Sequence, residues 1–198
     1  MNALFAPAPV GLPGLAAFTV GAFAFVLAVL VARRRRTDEV GATRSPGSLI
    51  GIVTQGVGFG IAAFGAQRVT LDPLSAVALG EAATVALLMA GAVVLFAWAS
   101  RTMGRNWSIV ARTRADHQLV QEGPFRSMRH PIYTGMFLFL IALAIAFGHA
   151  SHLLFAVPVF ALGTWLRIRI EEAMLREMFP DSYATYAAGV KRFVPGVF

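Results

Sequence analysis

Residues 131–168 read PIYTGMFLFLIALAIAFGHASHLLFAVPVFALGTWLRI, and Arg167 is their one Lys, Arg, Asp or Glu. Two apolar runs, at residues 131–147 and 153–168, are separated by a short polar connection. Each run approaches the roughly 20 residues with which an α-helix crosses a bilayer. Because the connection is so short, the stretch predicts two transmembrane helices that form a tight antiparallel hairpin.

Three further apolar runs precede this stretch, at residues 12–32, 48–66 and 74–99. The 198-residue chain is 57% hydrophobic and 14% charged, and its mean hydropathy is +0.68. Soluble domains contain roughly 25% charged residues, and a soluble fold of this size could not bury so much apolar surface. We therefore predict an all-α integral membrane protein with about five transmembrane helices.

The basic residues predict how these helices are oriented. Clusters of arginine follow the first run, separate the third from the fourth, and follow the fifth, whereas Arg68 alone falls on the other side. The positive-inside rule then places the N-terminus outside and the C-terminus in the cytoplasm. The first run is expected to stay in the mature protein, because its basic cluster follows the apolar run instead of preceding it. The Ala-, Gly-, Val- and Arg-rich composition favours a bacterial inner membrane.

Composition also excludes several kinds of function. The net charge is +7 and the pI is 11.2, but the charges lie in gaps between apolar runs, which favours contact with anionic lipid headgroups over nucleic acid. The chain has no cysteine, so thiolate nucleophiles and Cys-ligated metals are excluded. The four histidines lack metalloprotease spacing, and no metal site is predicted. The sequence leaves the oligomeric state open.

Two segments interrupt the pattern of helix and short loop. Residues 100–130 are polar and too long for a simple connector. Residues 171–190 mix charged and apolar side chains around Pro180, which predicts two short amphipathic helices on the inner surface. We therefore divide the chain into residues 1–99, with three transmembrane helices, and residues 100–198, with a cytoplasmic loop, the hairpin and the C-terminal helices.

A candidate binding motif begins the fourth predicted helix. Residues 123–135 read GPFRSMRHPIYTG, a Gly-Pro turn followed by a helix start at Pro131. Free N–H groups at a helix start favour an anionic ligand. Four polar side chains cluster beside it: Arg126, Arg129, His130 and Tyr133. A single juxtamembrane arginine usually anchors a helix at the headgroups, but the combination indicates a site.

A second candidate lies at the end of the fifth run, where residues 165–172 read WLRIRIEE. Arg167 and Glu171 are four residues apart and share a helix face. An ion pair at the membrane edge is the simpler interpretation. Charges this close to hydrocarbon are costly, however, and therefore also indicate a site. Gln55 and Glu81 are further polar residues within the apolar runs. Glu81 would bond to a neighbouring helix or line a substrate tunnel, and the sequence leaves open whether Gln55 lines the same path.

The motif at residues 123–135, followed by EEAMLREMFPDSYATY at residues 171–186, resembles the isoprenylcysteine carboxyl methyltransferase family and the related membrane phospholipid methyltransferases. The resemblance covers roughly residues 103–198. It implies an S-adenosylmethionine pocket that is closed by the long loop and the C-terminal helix. The pocket would open toward the bilayer, so that a lipidated substrate could enter sideways.

The resemblance also implies roles for particular residues. Phe125, often Tyr in the family, would pack on the cofactor, while Glu171 would accept its ammonium group. Arg167 would meet the substrate. The adenine and ribose would be lined by His117, Gln118, Leu119 and Val120. The methionine end would be held by His130, Pro131, Ile132 and Tyr133.

The expected reaction is methyl transfer from S-adenosylmethionine to a hydrophobic acceptor, with a prenylcysteine-like carboxylate favoured. A carboxylate needs no general base, so positioning and desolvation would supply most of the rate. A phospholipid amine or a small thiol would instead need a proton acceptor, for which Glu172 and His130 are the candidates. A membrane sensor or scaffold that keeps the pocket without turnover is the non-enzymatic alternative.

Overall fold

The computed structural model describes residues 6–34, 47–104 and 119–196, whose regular secondary structure is almost entirely helical, as predicted. Two short strands, β1 (Pro9–Val10) and β2 (Arg68–Val69), pair in parallel. The α-helices of the described residues are α1 (Leu12–Arg34), α2 (Gly47–Ala63), α3 (Ala76–Met103), α4 (Pro131–Ala146), α5 (Leu153–Met178) and α6 (Pro180–Gly189).

Three segments are long and apolar enough to cross a membrane: α1, α3, and α5 together with the turn that precedes it. The helices α2 and α4 are equally apolar but shorter, at 17 and 16 residues. Large side chains on the bundle surface are exposed, for example Phe23 (73%) and Leu87 (74%). Lipid can cover such a surface at no cost, whereas water cannot. The chain is therefore an integral membrane protein.

Close contacts at small residues fix how neighbouring helices run. Along α1, Gly14 packs against Glu81 and Gly21 against Met89, so α1 and α3 are parallel. The helix α4 packs on α3 in the opposite direction, and α2 packs on α5 in the same antiparallel manner. Small residues at membrane helix contacts allow the backbones to approach closely.

Aromatic side chains fill the centre of the bundle. Phe18 of α1 meets Phe139 of α4 edge to face, with ring centroids 5.4 Å apart. Phe59 of α2 contacts Phe139 and also Phe160 of α5, each at 5.7 Å. These contacts, together with buried Met89, join α1, α2, α3, α4 and α5 into one core.

Two sequence predictions require correction. The helix α5 continues without a break through Glu171 and Glu172 to Met178, so the first predicted amphipathic helix is the end of α5, and α6 alone is separate. Chain breakers are absent between residues 168 and 179, and Arg176 pairs with Glu172 one turn away. The predicted hairpin of α4 and α5 is antiparallel, but each helix packs chiefly on another one, α4 on α3 and α5 on α2.

The bundle has two distinct ends. The loop end comprises residues 6–11, 64–75 and 147–152, where β1 pairs with β2 and Ala8 N–H donates to Gly148 O at 2.8 Å. Gly148 has φ +74°, the left-handed conformation that favours glycine. The motif end comprises residues 119–133 and 167–196 and carries the candidate site.

The packing of α2 on α5 predicts that replacing glycine by alanine changes the stability of the protein very differently at two positions. A Cβ at Gly163 would lie 2.7 Å from Gln55 N and 2.8 Å from Gly51 O, so Gly163→Ala must separate the helices. We expect the free energy of unfolding to fall by about 1–3 kcal/mol. Gly56→Ala on α2 is the control, because nothing lies within 4 Å of its added methyl group. Thermal unfolding in detergent measures both, and equal shifts would contradict this packing.

Candidate functional site

The segment before α4 is ordered by a short 3-10 helix, Gly123–Arg126. Phe125 is buried, and its carbonyl accepts a hydrogen bond from the Tyr186 hydroxyl of α6 at 2.7 Å. Burial, together with neighbouring Tyr183, raises the pKa of Tyr186 to about 12. The hydroxyl therefore remains a donor at physiological pH, and α6 holds the turn that leads into the motif.

The chain after α6 binds the same motif through its backbone. Arg129 N–H donates to Lys191 O at 2.8 Å, and His130 N–H donates to Arg192 O at 2.9 Å. The Thr134 hydroxyl donates to Phe193 O at 3.3 Å. We call residues 190–194 the C-terminal strap, which fixes the backbone on which Arg129 and His130 stand.

Glu172 is the centre of a buried charge cluster and is only 1% exposed. Its Oε1 lies 3.1 Å from Arg129 Nη1, 3.2 Å from His130 Nε2 and 3.0 Å from Arg192 Nε. Its Oε2 lies 2.9 Å from Arg192 Nη2 and 3.0 Å from Arg176 Nη2. Three arginines and a histidine thus surround one carboxylate, and both of its oxygens are occupied.

The cluster extends onto α6 and the strap. Hydrogen bonds to Glu172 raise the pKa of Arg192 above its usual value. Burial, and then the charge of Glu172, raise the pKa of Tyr183, whose hydroxyl accepts from Arg129 Nη1 at 3.4 Å. Arg192 and Tyr183 therefore keep their protons at physiological pH. The contacts of the cluster join α4, α5, α6 and the strap.

Glu171 belongs to a second, less buried group, since 27% of its side chain is exposed. The Tyr133 hydroxyl donates to Glu171 Oε1. Arg167 Nη2 lies 3.8 Å from the same oxygen, and His130 Nδ1 lies 3.9 Å from Oε2. His130 therefore stands between the two glutamates, with Nδ1 toward Glu171 and Nε2 toward Glu172.

Arg167 carries the polar network from this group into the bundle. Its guanidinium lies 5.1 Å from the centroid of the Tyr133 ring, and Nη1 donates to Gln55 Oε1 at 3.1 Å. Gln55 Nε2 in turn donates to the Thr164 hydroxyl at 2.8 Å. A continuous chain of polar contacts thus runs from Thr164 to the partly exposed Glu171 at the motif end.

The predicted site residues fall into four sets. His130, Tyr133, Arg167, Glu171 and Glu172 meet in the two groups just described, and Pro131 begins α4 between them. By contrast, Ile132 packs against the cluster of Ala32 and Phe96, toward α1 and α3. Leu119 and Val120 lie before the motif, and Phe125 lies in its 3-10 helix, where its carbonyl accepts from Tyr186. His117 and Gln118 lie outside the described residues.

Three residues at the site had no assigned role in the sequence. Arg129 stands beside His130 in the motif and was interpreted only as part of a basic cluster. Arg192 counted only as an orientation signal, and no local pattern links it to Glu172, twenty residues earlier. Gln55 was noted only as a polar residue in an apolar run, and that is the signal by which its role could have been found.

Other polar residues belong to the loop end. The rings of His149 and His152 stack with centroids 4.7 Å apart, and His149 Nε2 lies 3.1 Å from Ala66 O. Glu81 accepts a hydrogen bond from Gly11 N–H at 3.3 Å, which makes it a helix contact. No group of metal-ligating side chains is found within residues 6–34, 47–104 and 119–196.

These features define a helical membrane protein with a built polar site at one end of its bundle. Residues 81–182, slightly more than half of the chain, match the phospholipid methyltransferase family. The chain belongs to this family, and the matched region contains the motif at the start of α4 together with Glu171 and Glu172 of α5.

Individual relatives carry a narrower name. The chain is 33% identical over 95 residues to protein-S-isoprenylcysteine O-methyltransferase of Schizosaccharomyces pombe, covering 46% of this chain and 40% of that protein. It is 33% identical over 99 residues to protein-S-isoprenylcysteine O-methyltransferase B of Arabidopsis thaliana, covering 48% and 50%. The Saccharomyces cerevisiae enzyme is 32% identical over 101 residues, covering 49% and 41%. The predicted family resemblance is confirmed, and the chain spans half or less of these relatives' lengths.

Proposed function

We propose that this protein is an S-adenosylmethionine-dependent methyltransferase whose acceptor is a hydrophobic or lipid-like molecule. The observation that carries the proposal is the pair Glu171 and Glu172 beside His130 and Tyr133, in a family-matched region at one end of membrane helices. Glu172 is buried among three arginines, and Glu171 is partly exposed. Glu172 organises the site, and Glu171 can bind a cationic group.

The residues present fit the cofactor. Its ammonium group requires an anion, and Glu171 has an accessible carboxylate beside the Tyr133 hydroxyl. Its carboxylate requires donors, and the buried Nε–H of Arg129 has no acceptor among the described residues. We propose that Glu171 and Arg129 hold these two groups, with His130 and Tyr133 between them. When bound, the cofactor supplies a methyl group whose C–S bond breaks as the acceptor forms its new bond to carbon.

The remaining predicted cofactor residues are proposed on the resemblance alone. His117 to Val120 would line the adenine and ribose, and Phe125, Pro131 and Ile132 would contribute apolar contacts. For Ile132 the contact would be indirect, since its side chain packs toward α1 and α3.

Exposed aromatic and basic side chains support a site at the level of the membrane surface, where both substrates could reach it. Trp98 of α3 and Trp165 of α5 are each 50% exposed, and Arg169 lies over the Trp165 ring at 4.8 Å. Exposed Trp and Arg together mark the interface between hydrocarbon and headgroups. Arg167 and Glu171 then lie at that interface, where a water-soluble cofactor and a lipid-like acceptor meet.

We further propose that α1 to α5 all cross the membrane, with the loop end outside and the motif end in the cytoplasm. At 1.5 Å per residue, α2 and α4 span about 25 Å, which a bilayer accommodates by local thinning. The predominance of arginine at the motif end supports this orientation in a bacterial inner membrane. Residues 1–99 would then supply three helices, and residues 100–198 the methyltransferase core.

Cysteine labelling tests this topology, because the chain has no cysteine of its own. Gln67→Cys at the loop end and Ser182→Cys on α6 are both at exposed positions. In intact cells we expect an impermeant maleimide to label Gln67→Cys, and to label Ser182→Cys only after permeabilisation. The reverse pattern would contradict the proposed orientation.

The favoured acceptor is the carboxylate of a prenylcysteine-like molecule. The named relatives support it, and a carboxylate needs no proton acceptor at the site. Glu172 cannot easily serve as one, since its oxygens are occupied by arginines and His130, so we propose that it positions Arg129 and His130 instead. The family match favours a second acceptor class, a phospholipid amine, for which His130 would take the proton. A small thiol would use the same route.

A panel assay tests the function. Purified protein would be incubated with methyl-labelled S-adenosylmethionine and a prenylcysteine, an ethanolamine phospholipid or an alkyl thiol. We expect label in the prenylcysteine methyl ester. Label in another acceptor would show that the protein methylates that class of acceptor instead. Cofactor binding without transfer to any acceptor would favour the membrane sensor or scaffold.

A further inference from the structure

The helix α2 lies entirely before residue 81, where the family match begins, yet it contacts Arg167 at two points. Gln55 Oε1 accepts a hydrogen bond from Arg167 Nη1 at 3.1 Å. One turn earlier, a Cβ at Gly51 would lie 2.4 Å from Arg167 Cγ, so the arginine stem occupies the space that Gly51 leaves. Gly51 and Gln55 together form what we call the Arg167 socket.

The socket is rigid on the side of Gln55. That side chain is 2% exposed, and its Nε2 donates to the Thr164 hydroxyl at 2.8 Å, which fixes the direction of its amide oxygen. Gly163 contacts the backbone at Gln55 closely, so neither helix can shift past the other. An amide held in this manner determines where the guanidinium of Arg167 lies.

The type of residue at position 55 has an electrostatic consequence. Gln55 is neutral, so it orients Arg167 without cancelling its charge. A buried cation in a membrane protein is costly and usually serves an anionic partner. Glu171 lies 3.8 Å from Arg167 Nη2 and also receives the Tyr133 hydroxyl, so its negative charge is shared. Arg167 therefore has a neutral partner on α2 and a carboxylate partner on its own helix.

We propose that Gln55 is a positioning residue that presents Arg167 to an anionic acceptor group, and that α2 thereby contributes to acceptor specificity. The proposal rests on the proposed methyltransferase function. It assigns a role in the site to a helix outside the matched family region. The acceptor class that it fits is an amphiphile whose carboxylate lies at the headgroup level and whose apolar chain lies along α2 and α5.

The test compares three variants in detergent, each measured for thermal unfolding, cofactor affinity and transfer to the best acceptor of the panel. In Gln55→Glu the new side chain has the shape of glutamine, but its negative charge pairs with Arg167. We expect an unchanged or higher unfolding temperature, cofactor affinity within about threefold, and at least a tenfold rise in acceptor KM. Gln55→Leu should raise acceptor KM similarly and lower the unfolding temperature. Thr54→Val is the control, since its hydroxyl bonds to Ile50 O within α2 itself.

The outcomes separate the two proposals. A purely structural Gln55 predicts that Gln55→Glu keeps the wild-type acceptor KM, and that result would overturn the positioning role while leaving the methyltransferase function intact. If the wild type transfers to no acceptor, the proposed function fails by itself. The contact between Gln55 and Arg167 is then tested by stability alone. The double variant Gln55→Leu/Arg167→Met should unfold at the same temperature as Arg167→Met. If the two substitutions lower the unfolding temperature additively, the socket is overturned.

Discussion

Glu172→Gln should lower the free energy of unfolding by about 3–5 kcal/mol, the cost of removing one partner from a buried ion pair. The substitution keeps the shape of the side chain and removes its charge. Arg129, whose side chain is 11% exposed, would then be a buried cation without its carboxylate. Arg192 and His130 lose the same partner, so the strap and the motif should loosen together. Thermal or denaturant unfolding in detergent measures this effect.

The matched control is Glu177→Gln, which removes an exposed carboxylate from the same helix. It should change stability by no more than a few tenths of a kcal/mol, as exposed surface substitutions usually do. Arg192→Gln should produce a partial loss, because Arg129 and Arg176 would still pair with Glu172. Equal stability of the Glu172 and Glu177 variants would show that the charge cluster does not hold the motif end together.

Arg167→Lys should lower turnover by on the order of 100-fold, because misplacement of a positioning group by about 1 Å can cost that much. Lysine keeps the charge but has one nitrogen, so it cannot both bond to Gln55 and lie over the Tyr133 ring as the guanidinium does. Cofactor affinity should stay within about threefold, since Glu171 and not Arg167 is proposed to bind the ammonium group. Turnover with the panel acceptor and calorimetric titration provide the two readouts.

Arg167→Ala distinguishes this role from a structural one. If Arg167 only anchors Glu171 and α2, lysine should retain near-native turnover, whereas alanine should damage stability and cofactor binding together. If Arg167 orients the acceptor, both variants lose turnover, and the lysine variant remains folded. Near-native turnover of Arg167→Lys would therefore remove the acceptor role.

The sequence predicts the parts of this fold that depend on local pattern. The apolar runs give α1 to α4 within a few residues, since a bilayer sets both the composition and the length of a spanning helix. The Gly-Pro turn and Pro131 locate the start of α4, because proline is favoured in the first turn. The predicted end of α5 was wrong by ten residues. The prediction ended the span where the composition changes from apolar to charged, but such a change does not end a helix.

The tertiary contacts of the site could not be predicted in the same way. Arg167 and Glu171 share a helix face, so their proximity follows from spacing alone. The contact of Gln55 with Arg167 joins residues 112 positions apart, and that of Arg192 with Glu172 depends on how the strap returns to α4. Neither contact has a periodic or compositional signal. The grouping of His130 with Tyr133 and Glu171 came from the family resemblance, and its role in binding remains a proposal.

The central claim, that S-adenosylmethionine binds at Glu171 and His130, is tested most directly by calorimetric titration of the cofactor into the purified protein. We predict saturable binding to the wild type and to the Glu177→Gln control. Glu171→Gln should weaken it by about 1.5–3 kcal/mol, the value of a hydrogen bond to a charged group. His130→Ala should also bind more weakly. Absence of binding to the folded wild type, or unchanged affinity in both Glu171→Gln and His130→Ala, would contradict the account.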